Sequence, residues 1–322
     1  MKKIIFLICM SITIFAQETK FSIISVGNLK GNYRNIDSLK VALDIKNKEK
    51  IATYDNVIKL NTNENPYPPT PMVTDAAGHF NMDKLRLYPD PECSALVHSI
   101  AQYYGMDDNE VFTGVGSDDV LAMIFMTFFN SKKPILFPDI TYSFYDVWAD
   151  LFRIPYERPA LDEHFHIRKE DYFRENGGII FPNPNAPTGV VMPLSEIEDI
   201  VAHNQDVIVI VDEAYIDFGG ESAAPLVKKY DNLIVVQTFS KSRNLAGARI
   251  GYALAAPSLT EDLKKIRGTI NPFYLSELQV LTALASLSDD AYFKQSTSQI
   301  MATRDHFSHQ LQAAGFYVLP SL

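Results

Sequence analysis

The sequence has few cysteines and relatively little positive charge. Its 322 residues include only two cysteines, Cys9 and Cys93, which are far apart and form no CxxC pair. This spacing encodes neither a disulfide framework nor a cysteine zinc site. Lys and Arg number 29 against 39 Asp and Glu, a formal net charge of −10. No concentrated basic face is visible, so we expect small-molecule partners and no nucleic acid.

The sequence has no apolar run long enough to cross a bilayer. The segment Ile4–Phe15 is apolar, follows two lysines and precedes Ala16. It is too short to span a membrane but has the form of a secretory signal. The alternatives are an apolar strand or arm docked on the protein, or a start site placed too early. Export directed by residues 1–16 is therefore the alternative to the cytoplasmic location that the chemistry below favours.

The chain divides into three parts that differ in composition and in hydrophobic pattern. Residues 1–56 form an N-terminal arm, with the signal-like start followed by mixed polar sequence. Residues 57–255 alternate strand-like and helical segments and are expected to form a large domain. Residues 256–322 are mostly helical in pattern and close with "FYVLPSL", a strand that begins as the chain stops. We expect this last part to be a smaller, incomplete domain.

Four short apolar segments predict buried parallel strands. They are rich in Ile and Val, and they cover residues 132–139, 177–184, 206–215 and 232–240. Strands that are apolar throughout are typical of a sheet covered by helices on both faces. Amphipathic segments lie between them, such as "PLSEIEDIVAHN", in which Ser195 is a candidate helix cap. The pattern predicts an α/β fold with ligand sites at the carboxyl ends of its strands.

Two of the strand ends carry candidate ligand-binding groups. The turn Gly114–Asp119 opens a helix, and the backbone N–H groups of Ser117 and Asp118 would form an anion site there. This turn matches neither GxGxxG nor the P-loop pattern, so it is weak evidence alone. In "TYSFY", Tyr142 could stack on a planar ring, or it could be an ordinary core or surface tyrosine.

Two further strand ends carry amides and a carboxylate. "PNPNAPTG" is a rigid turn with the amides of Asn183 and Asn185. "DEAY" places Asp212 and Tyr215 three positions apart, so that a helical turn would bring them to one face.

Lys241, in "TFSKSRNLAGARIGY", follows a strand that is predicted to be buried. An ammonium there is costly unless something neutralises or uses it, although a single lysine after a strand is usually a surface residue. Pyridoxal phosphate needs a lysine for a Schiff base, a carboxylate beside its ring nitrogen, and phosphate donors. Lys241, Asp212, Ser240 and Arg249 would supply this set.

Seven motifs together resemble the histidinol-phosphate aminotransferases, a family of fold-type I pyridoxal-phosphate enzymes. They are "LNTNENPYPPTP", "LYPDPEC", "GVGSDD", "TYSFY", "NPNAPTG", "DEAYIDF" and "TFSKSRNLAGARIGY". The resemblance runs from about Val57 to the last residue, and the lysine and DEAY motifs are specific to the superfamily. It implies a large domain with a mostly parallel sheet flanked by helices, plus a smaller α/β domain.

The resemblance also implies a role for each site residue. Lys241 would carry the cofactor, Asp212 would face the ring nitrogen and Tyr215 would donate to the ring hydroxyl. Tyr142 would stack on the ring, and Tyr88 would reach the phosphate in the neighbouring subunit, which implies a homodimer. The phosphate would be held by Ser117, Asp118, Ser240 and Arg249.

The sequence departs from the family pattern in two ways. Ala186 stands where an asparagine usually contacts the ring hydroxyl, so Asn185 or Asn183 would take over, or Tyr215 would act alone. The family also continues past "GFYVLPSL" with residues that include a substrate-binding arginine. We therefore expect the sequence to be a fragment, or the protein to lack part of its substrate site.

The implied activity is transamination between histidinol phosphate and 2-oxoglutarate in histidine biosynthesis, with pyridoxal phosphate as cofactor and no metal. Because the motifs specify the cofactor better than the substrate, alternatives stay open. They are an aromatic amino-acid aminotransferase, a threonine-phosphate decarboxylase, and an inactive pyridoxal-phosphate-binding fragment.

Overall fold

A computed structural model of the chain describes residues 62–321 and the backbone of residues 4–5. Its main sheet has seven strands: β2 (Val111–Gly114), β3 (Ile135–Leu136), β4 (Tyr156–Glu157), β5 (Ile179–Pro182), β6 (Val209–Asp212), β7 (Leu233–Thr238) and β8 (Gly251–Ala255). Their spatial order is β2-β8-β7-β6-β5-β3-β4. Strand β8 runs antiparallel to both its neighbours, and the other pairs are parallel. The mostly parallel sheet that the sequence predicted is therefore confirmed. A separate parallel pair joins β1 (Ile4–Ile5) to β9 (Tyr317–Val318).

Helices occupy much of the rest of the described chain. The α-helices are α1 (Pro71–Gly78), α2 (Ser94–Tyr104), α3 (Ser117–Phe128), α4 (Phe144–Phe152), α5 (Leu194–His203), α6 (Pro257–Ile270), α7 (Glu277–Ser288) and α8 (Asp290–Ala313). Short 3₁₀ helices cover Met82–Arg86, Asp108–Glu110, Lys169–Tyr172, Ile216–Phe218, Ala224–Lys228 and Ala246–Ala248.

The sheet separates two apolar cores. In β6, Val209 and Val211 join the core formed with α2, α5 and α7, whereas Ile210 joins the core formed with α3, α4 and α6. Successive strand side chains point to opposite faces, so Asp212 lies on the α3 and α4 side of the sheet. All four residues of β6 are buried, which explains why the strand reads as continuously apolar until its last residue.

The predicted elements are present but differ in extent. The strand predicted within residues 132–139 is reduced to Ile135–Leu136, between Pro134 and Pro138. Proline has no backbone N–H to give to a sheet, which limits the strand at both ends. Helix α5 confirms the amphipathic segment, but Ser195 as its cap is wrong. Pro193 takes the N-cap position with an extended ψ of 144°, and the helix begins at Leu194.

The last part of the described chain follows the predicted texture. After residue 256 come α6, α7, α8 and then β9. Leu259 and Leu263 of α6 lie in the same core as α3. The domain boundaries at residues 56 and 255 stay predictions. The predicted arm lies outside the described residues, as does nearly all of the signal-like start. Among the helices of the described chain, none combines the length and the apolarity needed to span a membrane.

Candidate active site

Parallel strands β5, β6 and β7 end at one edge of the sheet. Pro182 lies opposite Asp212, and Asp212 lies opposite Val236. Because β8 is antiparallel, its first residue, Gly251, lies opposite Thr238 at the end of β7. The segments after three strands and the segment before a fourth are therefore brought to the same edge, as the sequence predicted.

Asp212 is a buried carboxylate at this edge, with 5% of its surface exposed. Its Oδ2 accepts a hydrogen bond from the Tyr145 hydroxyl at 2.9 Å, and its Oδ1 accepts from the backbone N–H of Ala214 at 3.3 Å. Burial raises the pKa of Asp212 to about 6, although both hydrogen bonds favour the charged form. The negative charge of Asp118 acts in the same direction as burial. Asp212 is therefore held in one orientation and is able to be charged near neutral pH.

Lys241 lies partly buried in the turn after β7. Its Nζ donates to the backbone oxygen of Asn63 at 3.0 Å and lies 5.5 Å from the centroid of the Tyr215 ring. Burial lowers the pKa of Lys241, and the positive charge of Arg249 adds to this effect, while Asp118 and Glu64 oppose it. A lysine with a lowered pKa has a larger fraction of free amine at neutral pH, which suits a nucleophile or a base.

Tyr215 and Lys241 are linked by the segment around Asn63. The side-chain N–H of Asn63 donates to the Tyr215 hydroxyl at 3.1 Å, while the backbone oxygen of the same residue accepts from Lys241. Asn65 donates to the backbone oxygen of Lys241 at 2.9 Å and to the side chain of Asn244 at 2.8 Å. Two asparagines of "TNENP" therefore fix the turn that carries the lysine.

The helical turn predicted for DEAY is wrong in detail. Residues 214–215 form a turn, and the 3₁₀ helix begins at Ile216, after Tyr215. The two side chains are still close enough for the charge of Asp212 to contribute to the raised pKa of Tyr215, whose main cause is burial.

A narrow cradle surrounds the start of α3. Gly116 caps the helix with φ of 87°, and a Cβ on it would lie 2.5 Å from Nη2 of Arg249. A Cβ on Gly251 would lie 2.4 Å from the backbone nitrogen of Ser117. Only glycines allow the guanidinium and the helix N-terminus to approach this closely. Helix N–H groups and a guanidinium together favour an anion such as phosphate.

Asp118 and Tyr142 are paired at the same end of α3. The Tyr142 hydroxyl donates to Asp118 Oδ1 at 2.9 Å, and Asp118 Oδ2 lies 3.6 Å from Arg249 Nη2. Burial raises the pKa of Tyr142, and the negative charge of Asp118 adds to the effect, so the hydroxyl remains a donor. The Tyr142 ring packs edge-on against Tyr145, with centroids 5.6 Å apart. Stacking of Tyr142 on a cofactor ring stays a prediction.

Ser240 lies buried between the end of β7 and Lys241. Its hydroxyl accepts from the Thr238 hydroxyl at 2.9 Å, and its backbone N–H donates to the same oxygen at 3.1 Å. These two hydrogen bonds between Ser240 and Thr238 keep the serine next to the end of β7. The Ser240 hydroxyl hydrogen can still be donated to an anion, because the contact uses the hydroxyl only as an acceptor.

The asparagines of "NPNAPTG" are occupied by hydrogen bonds to other residues of the chain. Asn183 exchanges hydrogen bonds with the backbone of Met192. The Asn185 amide donates to the Ile140 oxygen and to the Thr188 hydroxyl, at 2.9 and 3.1 Å. Because an amide has two N–H hydrogens, Asn185 can meet a cofactor hydroxyl only as an acceptor. A ring contact for Asn185 stays a prediction, limited to that geometry.

Tyr88 stands apart from the other predicted residues. It is 81% exposed, and its ring stacks on Phe273 at a centroid distance of 4.4 Å. Exposed apolar side chains lie near it in sequence, at Met82, Leu85 and Leu87. This arrangement suits a residue that acts on another molecule rather than within its own chain.

Three contributors to the site escaped sequence reasoning: Asn63, Asn65 and Tyr145. The first two lie in a motif that served only to identify the family. Tyr145 lies three positions after Tyr142 in "TYSFY", but the helix begins only at Phe144, so Tyr142 lies outside it and helical spacing gives no signal for a pairing of the two rings.

The described residues hold no group of three or more His, Cys, Asp or Glu placed to bind a metal ion. His164 and His166, in the "HFH" sequence, lie on the surface, and His166 Nδ1 contacts Asp162 at 3.1 Å.

Known proteins of similar sequence share one activity in their names. A histidinol-phosphate aminotransferase 1 of Hydrogenovibrio crunogenus is 54% identical over 267 residues, which cover 83% of this chain and 75% of that protein. A histidinol-phosphate aminotransferase of Clostridium acetobutylicum is 51% identical over 264 residues, covering 82% of this chain and 75% of that protein.

The fold leads to the same group. A crystal structure of histidinol-phosphate aminotransferase from Sinorhizobium meliloti, in complex with pyridoxal-5'-phosphate, superposes with a TM-score of 0.78 at 25% identity. The match covers 88% of this chain and 77% of that one. The fold-type I architecture and the resemblance inferred from the motifs are thus confirmed. The model of the family "Aminotransferase class I and II" matches residues 55–322, and the chain belongs to this family, among its histidinol-phosphate aminotransferases.

Proposed function

We propose that this protein is a pyridoxal-phosphate-dependent aminotransferase that interconverts histidinol phosphate and its keto form, with glutamate and 2-oxoglutarate as the second pair. The observation that carries the proposal is the convergence of a buried carboxylate, Asp212, and a lysine of lowered pKa, Lys241, at one sheet edge. The anion cradle at the start of α3 lies beside Gly251 at the same edge.

The residues present fit this cofactor. Its phosphate would be held by the N-terminus of α3 with Ser240 and Arg249, because the glycines at 116 and 251 allow the guanidinium and the helix N-terminus to lie close together. Asp212 would hold a proton on the ring nitrogen, and Tyr215 would donate to the ring hydroxyl. Tyr142 would cover one face of the ring. These roles are proposals supported by position, burial and hydrogen-bond capacity.

The bound cofactor would supply an electron-poor ring that stabilises the carbanion formed at the substrate α-carbon. Lys241 would take the proton from the substrate α-carbon and then deliver a proton to a carbon atom of the cofactor. Its burial favours this role because the neutral amine is the form that accepts a proton. Asp212, fixed by Tyr145 and Ala214, would keep its charge opposite the ring nitrogen.

The names of the relatives support histidinol phosphate as the substrate. Proteins more than 50% identical over most of the chain are named histidinol-phosphate aminotransferases. We propose a homodimer in which Tyr88 reaches the partner's cofactor phosphate. The exposed Tyr88 and Phe273 rings, together with Leu85 and Leu87, form an apolar surface that suits such an interface. A cytoplasmic location is proposed with the biosynthetic role.

The proposal is tested on purified protein loaded with pyridoxal phosphate. We expect borohydride reduction to fix the cofactor to Lys241, as seen by peptide mass, and the label to be lost in Lys241→Ala but kept in Lys132→Ala, a variant at an exposed lysine. Amino transfer from histidinol phosphate should be faster than from phenylalanine, and threonine phosphate should not be decarboxylated. A faster reaction with phenylalanine or threonine phosphate would overturn the proposal that histidinol phosphate is the substrate. Lys241-dependent labelling without any amino transfer would overturn the proposal that the protein is an active aminotransferase.

A further inference from the structure

Tyr145 is a buried tyrosine whose hydroxyl reaches the carboxylate at the centre of the site. Its exposed fraction is 0%, and its hydroxyl donates to Asp212 Oδ2 at 2.9 Å. Asp212 Oδ1 has a weaker bond, 3.3 Å long, to the backbone N–H of Ala214. The tyrosine therefore makes the shorter of the two hydrogen bonds that hold this carboxylate.

The Tyr145 ring has little freedom to move. It lies in α4 on the same side of the sheet as Asp212, in contact with an aromatic cluster. Ring centroids lie between 5.6 and 6.4 Å from it, at Phe125, Phe137, Tyr142 and Trp148. Close aromatic packing fixes the direction of the Tyr145 hydroxyl, so its hydrogen bond to Asp212 is already formed before any ligand binds.

The hydrogen bond from Tyr145 affects the charge of Asp212. Burial favours the neutral form of Asp212, and the negative charge of Asp118 acts in the same direction. The hydrogen bond from Tyr145 opposes both by stabilising the anion. Burial and the carboxylate raise the pKa of Tyr145 itself well above its usual range, so it stays a donor throughout the physiological range. The other titratable groups near Asp212 are Tyr142 and Tyr215, which are neutral donors when protonated.

We propose that Tyr145 is a positioning residue that keeps Asp212 ionised and aimed at the ring nitrogen of the cofactor. The inference rests on the proposed function and adds to it a residue outside the predicted set. Tyr145 acts through Asp212. Without its hydroxyl, Asp212 becomes a stronger base, and the proton shared with the ring nitrogen moves toward the carboxylate.

The test follows that proton directly. The loaded protein is prepared with ¹⁵N-labelled pyridoxal phosphate, and the ring-nitrogen chemical shift is recorded between pH 6 and 9. In Tyr145→Phe we expect the shift to move toward that of an unprotonated ring, and kcat to fall on the order of tenfold, the effect of losing a hydrogen bond to a charged group. The KM for 2-oxoglutarate should change less than kcat. Tyr172→Phe is the matched control, because Tyr172 is 1% exposed but lies in the core on the opposite face of the sheet. It should leave the nitrogen shift and kcat unchanged.

A second variant guards against a folding defect. Fluorotyrosine placed at position 145 keeps the ring shape and the hydroxyl donor, so it should keep the nitrogen shift of a protonated ring. Tyr145→Phe that melts like wild type and keeps the wild-type shift would overturn the inference. So would a fluorotyrosine variant whose nitrogen shift matched that of Tyr145→Phe. In either case, labelling at Lys241 would still support the proposed function, whereas wild-type protein that binds no cofactor would contradict both.

Discussion

Lys241 Nζ lies 3.0 Å from the backbone oxygen of Asn63, a residue 178 positions earlier in the chain. The Asn63 side chain donates to Tyr215, so one residue contacts two groups of the predicted active site. Asn63 has φ of 51°, a left-handed conformation that asparagine and glycine adopt most easily.

The side chain of Asn63 can be removed without disturbing this backbone. In Asn63→Gly the positive φ is retained, but Tyr215 loses a donor that helps to lower its pKa. We expect kcat/KM for histidinol phosphate to fall about fivefold, in keeping with the loss of one neutral hydrogen bond. Asn81→Gly, at an exposed helix cap, should keep wild-type activity. Equal activity of the two variants would show that the Asn63 side chain has no role in the site.

Gly251 allows the start of α3 to lie close to β8 at the cradle. A Cβ in Gly251→Ala would lie 2.3 Å from a backbone carbon of Gly116, so the start of α3 has to shift. We expect the dissociation constant of pyridoxal phosphate to rise at least about tenfold, because charge-assisted hydrogen bonds to its phosphate are misaligned. Gly247→Ala is the matched control, since a Cβ there meets nothing within 4 Å. Fluorescence titration of cofactor-free protein measures both, and equal affinities would contradict the cradle.

Glu213 makes the stability of the fold depend on pH. Its buried carboxylate accepts from the Ser222 hydroxyl, the Ala223 N–H and the Gln237 side chain. Burial raises the pKa of Glu213 to about 7, although these three donors oppose it. The folded state therefore binds a proton more tightly than the unfolded chain, whose value is 4.5. This contribution to stability is complete below pH 4.5 and is lost as pH rises to about 7.

Urea unfolding of wild type and Glu213→Gln between pH 4.5 and 8 measures this dependence. We expect the free energy of unfolding of wild type to fall with rising pH relative to the variant, by on the order of 3 kcal/mol. Glu221→Gln, at an exposed position, should follow wild type. Parallel curves for wild type and Glu213→Gln would contradict a raised pKa for this carboxyl.

The proposed role of Tyr88 predicts complementation between two inactive variants. Lys241→Ala and Tyr88→Ala each damage every site of a homodimer. A hybrid dimer has one intact site if Tyr88 acts on the partner's cofactor, so random mixing should restore about one quarter of wild-type activity. Lys241→Ala mixed with Asp212→Ala should restore none, because both residues belong to the same subunit's site. Failure of the first mixture, with hybrids detected by mass, would place Tyr88 in its own subunit's site or outside any site.

The parts of the site that sequence could predict are those tied to strand ends. Asp212 and Lys241 follow apolar runs whose burial on both faces is visible in composition, and parallel strands bring such ends to one edge. The glycines around Ser117 likewise signal a backbone that approaches something closely.

The contacts that sequence could not predict join positions with no periodic relation. The Tyr145–Asp212 bond spans 67 positions and the Asn63–Tyr215 bond spans 152. No local propensity distinguishes a tyrosine that reaches a carboxylate from one that fills the core. The predicted N-cap of α5 was wrong because the helix begins two residues earlier than a serine cap requires, after Pro193 with an extended ψ of 144°.

Because β8 runs antiparallel to β7, one loop carries both Lys241, the proposed cofactor lysine, and Arg249, the proposed phosphate ligand. The chain leaves the edge after Thr238 and returns to it at Gly251, so residues 239–250 place Lys241 and Arg249 between two adjacent strands. An insertion between Lys241 and Arg249 would lengthen the chain that joins them, whereas insertions after β5 or β6 would leave that length unchanged. For protein engineers, a graft of this loop would therefore also need the segment Asn63–Asn65, whose hydrogen bonds fix the turn that carries Lys241.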